Sequence, residues 1–268
     1  MRARRFVTVL VPAMAVAIGC GGKPQDASAT SDGRLRPDAP MQLAEAPVGA
    51  QPAAAAGSAS IRGSVKFKGA APAREKIRMD ADPECKKQHA EAVLSEEAVV
   101  NDNGTLRNVF VYVKQGASGS FPAPSSPVIL DQKGCWYHPR IFGIQVNQPL
   151  EIVNSDPSMH NVNAKPSTNQ PFNIAQPTQG MKTAKKFAKP EVGVKFKCNV
   201  HPWMTAYGHV LEHPFFSLTG AEGSFAITGL PAGSYVVEAW HEKYGTQTQN
   251  VTVGDGESAT AEFAFTGQ

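Results

Sequence analysis

The sequence lacks most of the patterns that assign a chain to an enzyme or a haem protein. No Ser-His-Asp spacing, phosphate-binding Gly-rich loop or paired-carboxylate motif stands out, and the haem-attachment pattern Cys-x-x-Cys-His is missing. Helical periodicity is scarce, and the apolar run Phe6–Ile18 is too short to cross a bilayer. We therefore expect neither an enzyme nor a membrane-spanning helix.

An excess of charge is lacking as well. The formal net charge is +3, and Arg2, Arg4 and Arg5 account for it, since no acidic residue lies in the segment 1–19. Without that segment the charge is about zero. No overall cationic field then argues for nucleic acid, and no nucleic-acid-binding motif is present. We expect no nucleic-acid partner.

The N-terminus has the layout of an export signal, with arginines before a short apolar region. The residues Ala17-Ile18-Gly19-Cys20 resemble the lipobox of bacterial lipoproteins. That resemblance implies removal of residues 1–19 and lipidation of Cys20, whose acyl chains would hold the protein at a membrane. An ordinary secretory signal is the alternative. Gly21 stands where inner-membrane lipoproteins commonly have aspartate, which favours the outer membrane of the cell envelope, at its periplasmic face or the surface.

A tether and a folded part follow the signal. Residues 20–58 are rich in Ala, Pro, Gly, Ser and Gln and could build little core, so we expect a disordered tether. From residue 59 onward, short apolar or alternating runs are separated by Gly, Pro, Asn and Asp, which predicts an all-β fold of sandwich type. One helix is predicted from Pro83 to about Val93, with Asp82 as its N-cap.

The individual strands can be placed by the same alternation. The predicted strands are Ile61–Phe67, Asn108–Lys114, Val128–Leu130, Phe142–Val146, Leu150–Asn154, Val194–Cys198, Tyr207–Leu211, Ser224–Ile227, Ser234–Trp240, Gln249–Val253 and Thr260–Phe265.

The pattern Cys198-x2-His201-x2-Met204 places a thiolate, an imidazole and a thioether three residues apart. Segment 194–198 before it alternates apolar residues with lysine, as half-buried strands do. We expect Cys198 to point inward and the next loop to bring the other two side chains back toward its sulfur. A second imidazole, His160, lies upstream. Two imidazoles, one thiolate and a weak thioether are the ligand set of an electron-transfer copper site, which suits both copper oxidation states.

Cys85 and Cys135 are the cysteines left after Cys20 and Cys198. In an oxidising compartment outside the cytoplasm we predict a disulfide between them. The alternative is a second, zinc-like site, in which Cys85-x3-His89 and Cys135-x2-His138 supply four ligands.

The C-terminal part resembles the carboxypeptidase-regulatory or transthyretin-like modules. The resemblance rests on the run Gly223–Tyr235, which has the form strand, tight turn, strand, and on Ile61–Val65 followed by the turn Gly69–Pro72. Val109–Val113 would complete the module.

These two halves lie on opposite sides of the metal-ligand motifs. We interpret residues 59–125 plus 213–268 as one discontinuous β-sandwich, with residues 126–212 inserted in it. Two consecutive domains are the alternative.

Residues 126–212 resemble the cupredoxins, the small blue copper proteins. The strands 142–146 and 150–154, the His160-Asn161 pair and the Cys-His-Met loop come in cupredoxin order. The resemblance implies a Greek-key sandwich that binds one type 1 copper through His160, Cys198, His201 and Met204. It also implies that Asn161 ties the two ligand loops together.

The same resemblance implies how electrons would leave. In cupredoxins the edge of the loop histidine reaches the surface, so Pro202 and Trp203 beside His201 would dock a redox partner. The segment before the Cys-His-Met loop contains more lysines than acidic residues, and these lysines would suit an acidic partner if they form one face. They are Lys182, Lys185, Lys186, Lys189, Lys195 and Lys197.

Three functions follow from these patterns. The first is a membrane-tethered carrier of single electrons, with no coordination position left for a substrate. The second is a copper-binding or copper-delivery protein without a redox partner. The third is a carbohydrate- or protein-binding sandwich that would use Tyr235, Trp240 and Tyr244.

Overall fold

A computed structural model describes residues 57–267, and nearly all regular structure in this part of the chain is β-strand. The proposed signal sequence, the lipidation site Cys20 and the tether as far as residue 56 lie outside the described residues. In chain order the elements are β1 (Ala59–Lys68), α1 (Pro83–Lys87), β2 (Phe110–Gln115), β3 (Val128–Gln132), β4 (Tyr137–His138), β5 (Ile141–Gln145), β6 (Leu150–Asn154), β7 (His160–Ala164), β8 (Phe172–Gln176), β9 (Lys182–Lys185), β10 (Glu191–Lys197), β11 (Thr205–Leu211), β12 (Phe216–Leu218), β13 (Ser224–Leu230), β14 (Gly233–His241), β15 (Gly245–Val253), β16 (Ser258–Thr260) and β17 (Phe263–Thr266).

The first sandwich takes its strands from both ends of the described chain. One sheet has the order β13-β1-β16, with β17 also paired to β1, and the other has the order β12-β2-β14-β15. Both sheets contribute to one hydrophobic core, which includes Ile61, Val111, Ile227 and Val237. Residues 59–68 and 216–266 are therefore parts of the same fold.

The second sandwich lies between those two segments in the sequence. Its sheets have the orders β5-β11-β10-β7-β8 and β4-β3-β6-β9. The alternating burial of Leu150, Ile152 and Asn154 along β6 is the pattern expected when one face of a strand covers a core. Leu130, Phe196 and Val210 meet those side chains from neighbouring strands.

The two sandwiches pack against each other through a third apolar cluster. Phe110 and Tyr112 of β2 meet Ile141 of β5 and Leu211 of β11 there. The run Phe110–Val113 is buried at every position because its odd-numbered residues face the first core and its even-numbered ones face this junction. A Cβ on Gly143 would lie 2.4 Å from the Phe216 ring, so glycine is needed for this close approach.

A buried ion pair also crosses the junction. Arg140, just before β5, donates to Glu242 with Nε–Oε1 2.5 Å and Nη2–Oε2 2.7 Å, and both side chains are almost fully buried. The two-pronged geometry satisfies both charges away from water.

Two sequence expectations about the fold differ from the structure. Helix α1 ends at Lys87 rather than near Val93, because Cys85 is bonded to Cys135 and His89 Nε2 lies 2.7 Å from the Gly134 carbonyl oxygen, which together redirect the chain. Met79 and Cys85, which we assigned with residues 59–125 to the first sandwich, pack in the core of the second.

The all-β prediction is confirmed, and every predicted strand overlaps an observed one. Five short strands were not predicted; they are β4, β7, β8, β9 and β12. Within residues 57–267, no helix is long and apolar enough to cross a bilayer.

Candidate metal centre

The Cys-His-Met loop is closed by its own backbone. It joins β10 to β11, and within it Cys198 N–H donates to the Met204 carbonyl (3.2 Å) while Met204 N–H donates to the His201 carbonyl (2.9 Å). His201 N–H points back at Cys198 Sγ, 3.3 Å away. These contacts hold the sulfur inside a tight loop. Cys198 is buried, so it points inward as the alternation of segment 194–198 predicted.

His160 reaches the same point from the neighbouring strand. Antiparallel pairing of β7 with β10 sets Asn163 opposite Lys197, which brings the start of β7 beside the loop. His160 Nδ1 lies 2.9 Å from His201 Nδ1, and Cys198 Sγ lies 3.9 Å from His201 Nδ1. One donor atom from each of the three residues lies within 4.8 Å of the others, and all three side chains are buried.

The spacing of these atoms fits a single metal ion. Two donors on one ion cannot be farther apart than the sum of their bond lengths, which is about 4.4 Å for sulfur plus nitrogen and about 4.2 Å for two nitrogens at zinc-like distances. The sulfur–nitrogen and nitrogen–nitrogen distances to His201 both fall below these limits. Met204, the expected fourth ligand, is fully buried in the same core as Cys198. The three converging donors are therefore compatible with a metal ion without large movement.

Two other groups of close donors share members with this one. They combine Cys85, Cys135 and His201, and Cys135, Asp156 and His160. Both rely on sulfurs that are joined at 1.98 Å in a disulfide, so neither offers a thiolate. Cys198 is the free cysteine among the described residues.

Charge at the centre favours a thiolate. Burial raises the pKa of the Cys198 thiol, but hydrogen bonds from His160 and His201 outweigh burial and lower that pKa to about 5. For His160, burial lowers the pKa, and the hydrogen bonds to Asp156 and Cys198 more than offset it, so the pKa rises to about 9. The pKa of His201 is likewise raised by Cys198 and Asp82 against the effect of burial. A metal ion that binds here would replace protons held on the imidazoles.

Asn161 connects the two ligand segments. Its Oδ1 accepts from Asn199 N–H at 2.6 Å and lies 3.5 Å from Cys198 Sγ. Its backbone carbonyl accepts from the Tyr137 hydroxyl at 2.6 Å. The residue thus fixes the spacing between β7 and the loop.

Each of the two imidazoles has a carboxylate at hydrogen-bond distance from its Nε2 atom, the nitrogen that faces away from Cys198. His160 Nε2 lies 2.8 Å from Asp156 Oδ2, and His201 Nε2 lies 2.9 Å from Asp82 Oδ2. Sequence reasoning did not assign either aspartate to the site. The pattern Asn154-x-Asp156 before His160 could have indicated Asp156. The sequence identified Asp82 only as the N-cap of the predicted helix.

The surface near the loop differs from the cupredoxin expectation. His201 is only 2% exposed, so the expectation that its ring edge reaches the surface is wrong. Asp82 covers Nε2 together with Cys85, whose Sγ lies 3.5 Å away. Trp203 is half-buried, with its ring centroid 5.1 Å from that of His201, and its Nε1–H donates to the Cys135 carbonyl at 3.0 Å. Pro202 is exposed, and docking at these two residues remains a prediction.

The zinc-like alternative finds no support among the described residues. Cys85 and Cys135 form the disulfide, His89 contacts a backbone carbonyl, and His138 is exposed on β4.

The three aromatic residues of the carbohydrate-binding interpretation lie in different surroundings. Tyr235 is buried in the first core, and Tyr244 packs against Phe67. Trp240 packs against His209 at the junction of the sandwiches, so the three do not form an exposed binding platform.

Comparison with known proteins finds one family. Residues 213–266 match the carboxypeptidase regulatory-like domain, which covers a minor part of the chain. That match lies in the segment from which the resemblance was inferred. No curated protein matches the chain.

Solved structures give low-scoring matches. A copper-containing nitrite reductase from Thermus scotoductus SA-01 matches with TM-score 0.29 and 24% identity, over 38% of this chain and 25% of that one. A purple cupredoxin from Nitrosopumilus maritimus matches with TM-score 0.27 and 21% identity, over 32% of this chain and 98% of that one. A mutant of amicyanin in the Cu(I) form gives TM-score 0.29 and 14% identity, over 33% and 85%. At such scores the assignment of function must rest on the geometry of the centre.

Proposed function

We propose that this chain binds one copper ion through His160, Cys198, His201 and Met204 and carries single electrons. The observation that supports it is the convergence of one free thiol and two imidazole Nδ1 atoms in a buried centre. Sulfur and nitrogen donors in this combination are those of electron-transfer copper sites.

The residues around the donors are suited to a carrier. A copper ion bound here would supply a one-electron Cu(II)/Cu(I) couple. The loop hydrogen bonds, Asn161 and the surrounding core hold the donors in place, which keeps rearrangement small when charge changes. Phe196 of the adjoining strand and Met204 are fully buried and keep water away. With Met204 as the fourth ligand, protein atoms would fill all four positions, so we propose no catalysis at this centre.

The proposed location of the protein in the cell is supported by the sequence. Lipidation of Cys20 would anchor the protein at the outer membrane, and residues 20–58 would let the folded part reach a partner. Several lysines of segment 182–197 are exposed, including Lys182, Lys186 and Lys189, which suits an acidic redox partner. Acyl labelling of the wild-type chain and of Cys20→Ala tests the anchor; equal labelling would refute it.

Absorption and EPR spectra after copper addition test the proposed centre. The wild-type chain should bind one copper and show intense thiolate-to-copper absorption in the visible, with an EPR signal that disappears on reduction. Cys198→Ser should lose the absorption. The matched control is His138→Ala, which removes an exposed histidine outside the donor groups and should leave the spectrum unchanged.

A copper-delivery protein is the second candidate, because the same donors would hold Cu(I). It would bind copper without the visible absorption and without reversible oxidation. A wild-type chain that binds no copper would refute both functions.

A further inference from the structure

Both imidazoles of the centre have a carboxylate at the nitrogen that faces away from the thiol. Asp156 Oδ2 lies 2.8 Å from His160 Nε2, and Asp82 Oδ2 lies 2.9 Å from His201 Nε2. An ionised carboxylate accepts hydrogen bonds and cannot donate them, so each Nε2 must carry the proton. Nδ1 of each ring is then the atom that would bind a metal, after giving up any proton it holds in the metal-free protein.

The carboxylates are themselves held in place. Asp156 Oδ1 accepts from Gly134 N–H and its Oδ2 from Cys135 N–H, both at 2.7 Å. Asp82 Oδ1 accepts from Glu84 N–H at 2.9 Å and from Cys85 N–H at 3.3 Å, which leaves Oδ2 for His201.

The Cys85–Cys135 disulfide joins the two aspartate-binding segments. Cys85 donates to Asp82 and Cys135 donates to Asp156, so the covalent link connects residues that hold both carboxylates. Asp82 comes from a segment that is 119 residues from His201 in sequence. The contact therefore depends on the position of the segment that contains Asp82, which covers the candidate metal centre.

We propose, on the basis of the proposed copper site, that Asp82 and Asp156 are positioning residues. They hold His201 and His160 with Nδ1 directed at the metal and make both rings stronger donors. Negative charge next to the ligands stabilises the more positive oxidised state, so the pair lowers the reduction potential. Partners of this kind commonly change metal affinity 10- to 100-fold when they are removed.

Asp82→Asn isolates this effect. The asparagine can still accept the helix N–H groups through Oδ1, and it is as good a cap as aspartate. Its amide group, however, would present a donor to His201 Nε2. The matched control is Glu84→Gln, which removes one negative charge from the same helix at an exposed residue bonded to Lys87.

Two measurements on the copper-loaded full chain test the inference. In Asp82→Asn the Cu(II)/Cu(I) affinity ratio should fall about tenfold, which raises the reduction potential by about 59 mV for a one-electron couple. Long-range proton–nitrogen NMR of the Cu(I) form should show an Nε2-protonated His201 in the wild type and a perturbed Nε2–H in the variant. Glu84→Gln should change neither. Asp156→Asn should shift the potential in the same direction and perturb His160.

The outcomes separate this inference from the proposed function. If the wild type binds copper with the expected spectrum but Asp82→Asn matches Glu84→Gln in potential and in the His201 signal, the positioning role is wrong and the copper site stands. A wild type that binds no copper overturns both.

Discussion

The stability of this protein should fall on acidification because of His209, a histidine at the junction of the sandwiches. Its side chain is completely buried, with its ring stacked on Phe110 at a centroid distance of 4.0 Å and edge-on to Trp240 at 4.5 Å. Neither ring nitrogen has a hydrogen-bond partner in the described part of the chain. The charged form therefore has no compensation for the loss of water.

The sign and size of the effect follow from the pKa. Burial lowers the pKa of His209 from 6.5 to about 3. Below about pH 6.5, His209 is therefore protonated in the unfolded chain but neutral in the folded chain. The free energy of unfolding is unaffected by this residue above that pH, and it decreases as the pH is lowered further. The slope approaches about 1.4 kcal/mol per pH unit for this one residue, which amounts to about 2 kcal/mol between about pH 7 and pH 5.

The assay is urea unfolding of the metal-free wild type and of His209→Phe, followed by tryptophan fluorescence at several pH values. Phenylalanine keeps a flat ring against Phe110 but cannot be protonated. The difference in unfolding free energy between the two proteins should therefore change by about 2 kcal/mol in favour of the variant between about pH 7 and pH 5. Other titrating groups are common to both proteins and cancel in the difference. Parallel pH profiles would refute the reasoning.

Three further changes have predicted outcomes. Replacing Cys85 and Cys135 by alanine opens a link across a sequence separation of 50 residues, which should cost about 4 kcal/mol in the loop-entropy account; a loss below about 1 kcal/mol in urea unfolding would contradict it. Arg140→Ala leaves Glu242 buried and unpaired, so it should cost about 3–5 kcal/mol, whereas a double variant with Glu242→Gln should recover part of that loss. Asn161→Ala leaves the Asn199 N–H without its acceptor and should lower the free energy of unfolding by about 1–3 kcal/mol. An unchanged urea midpoint would show that the loop is stable without this hydrogen bond.

Strands with clear alternation could be predicted, and β6 has the predicted bounds Leu150–Asn154. The strands that were missed are short or polar. Phe172–Gln176 and Lys182–Lys185 lie at sheet edges and have few fully buried side chains, so their sequences carry little apolar periodicity. Their strand conformation comes from pairing with a neighbour rather than from a pattern of their own.

The length of α1 could not be predicted for a related reason. Residues 83–93 contain good helix formers, but the disulfide at Cys85 and the contact of His89 with Gly134 are long-range and outweigh local propensity. His209 gives the opposite case. It lies in the predicted strand Tyr207–Leu211, but its complete burial without a hydrogen-bond partner among the described residues is set by two sheets that meet around it.

The sequence by itself determined the types and spacing of the proposed ligands Cys198, His201 and Met204, because a tight loop after a strand can bring residues three apart close together. Only the tertiary structure decided that His160 faces them and that Asp82 and Asp156 cover the outer nitrogens. These contacts join segments up to 119 residues apart, and no local periodicity encodes them. Strand pairing, the disulfide and the packing of α1 against the loop set them together.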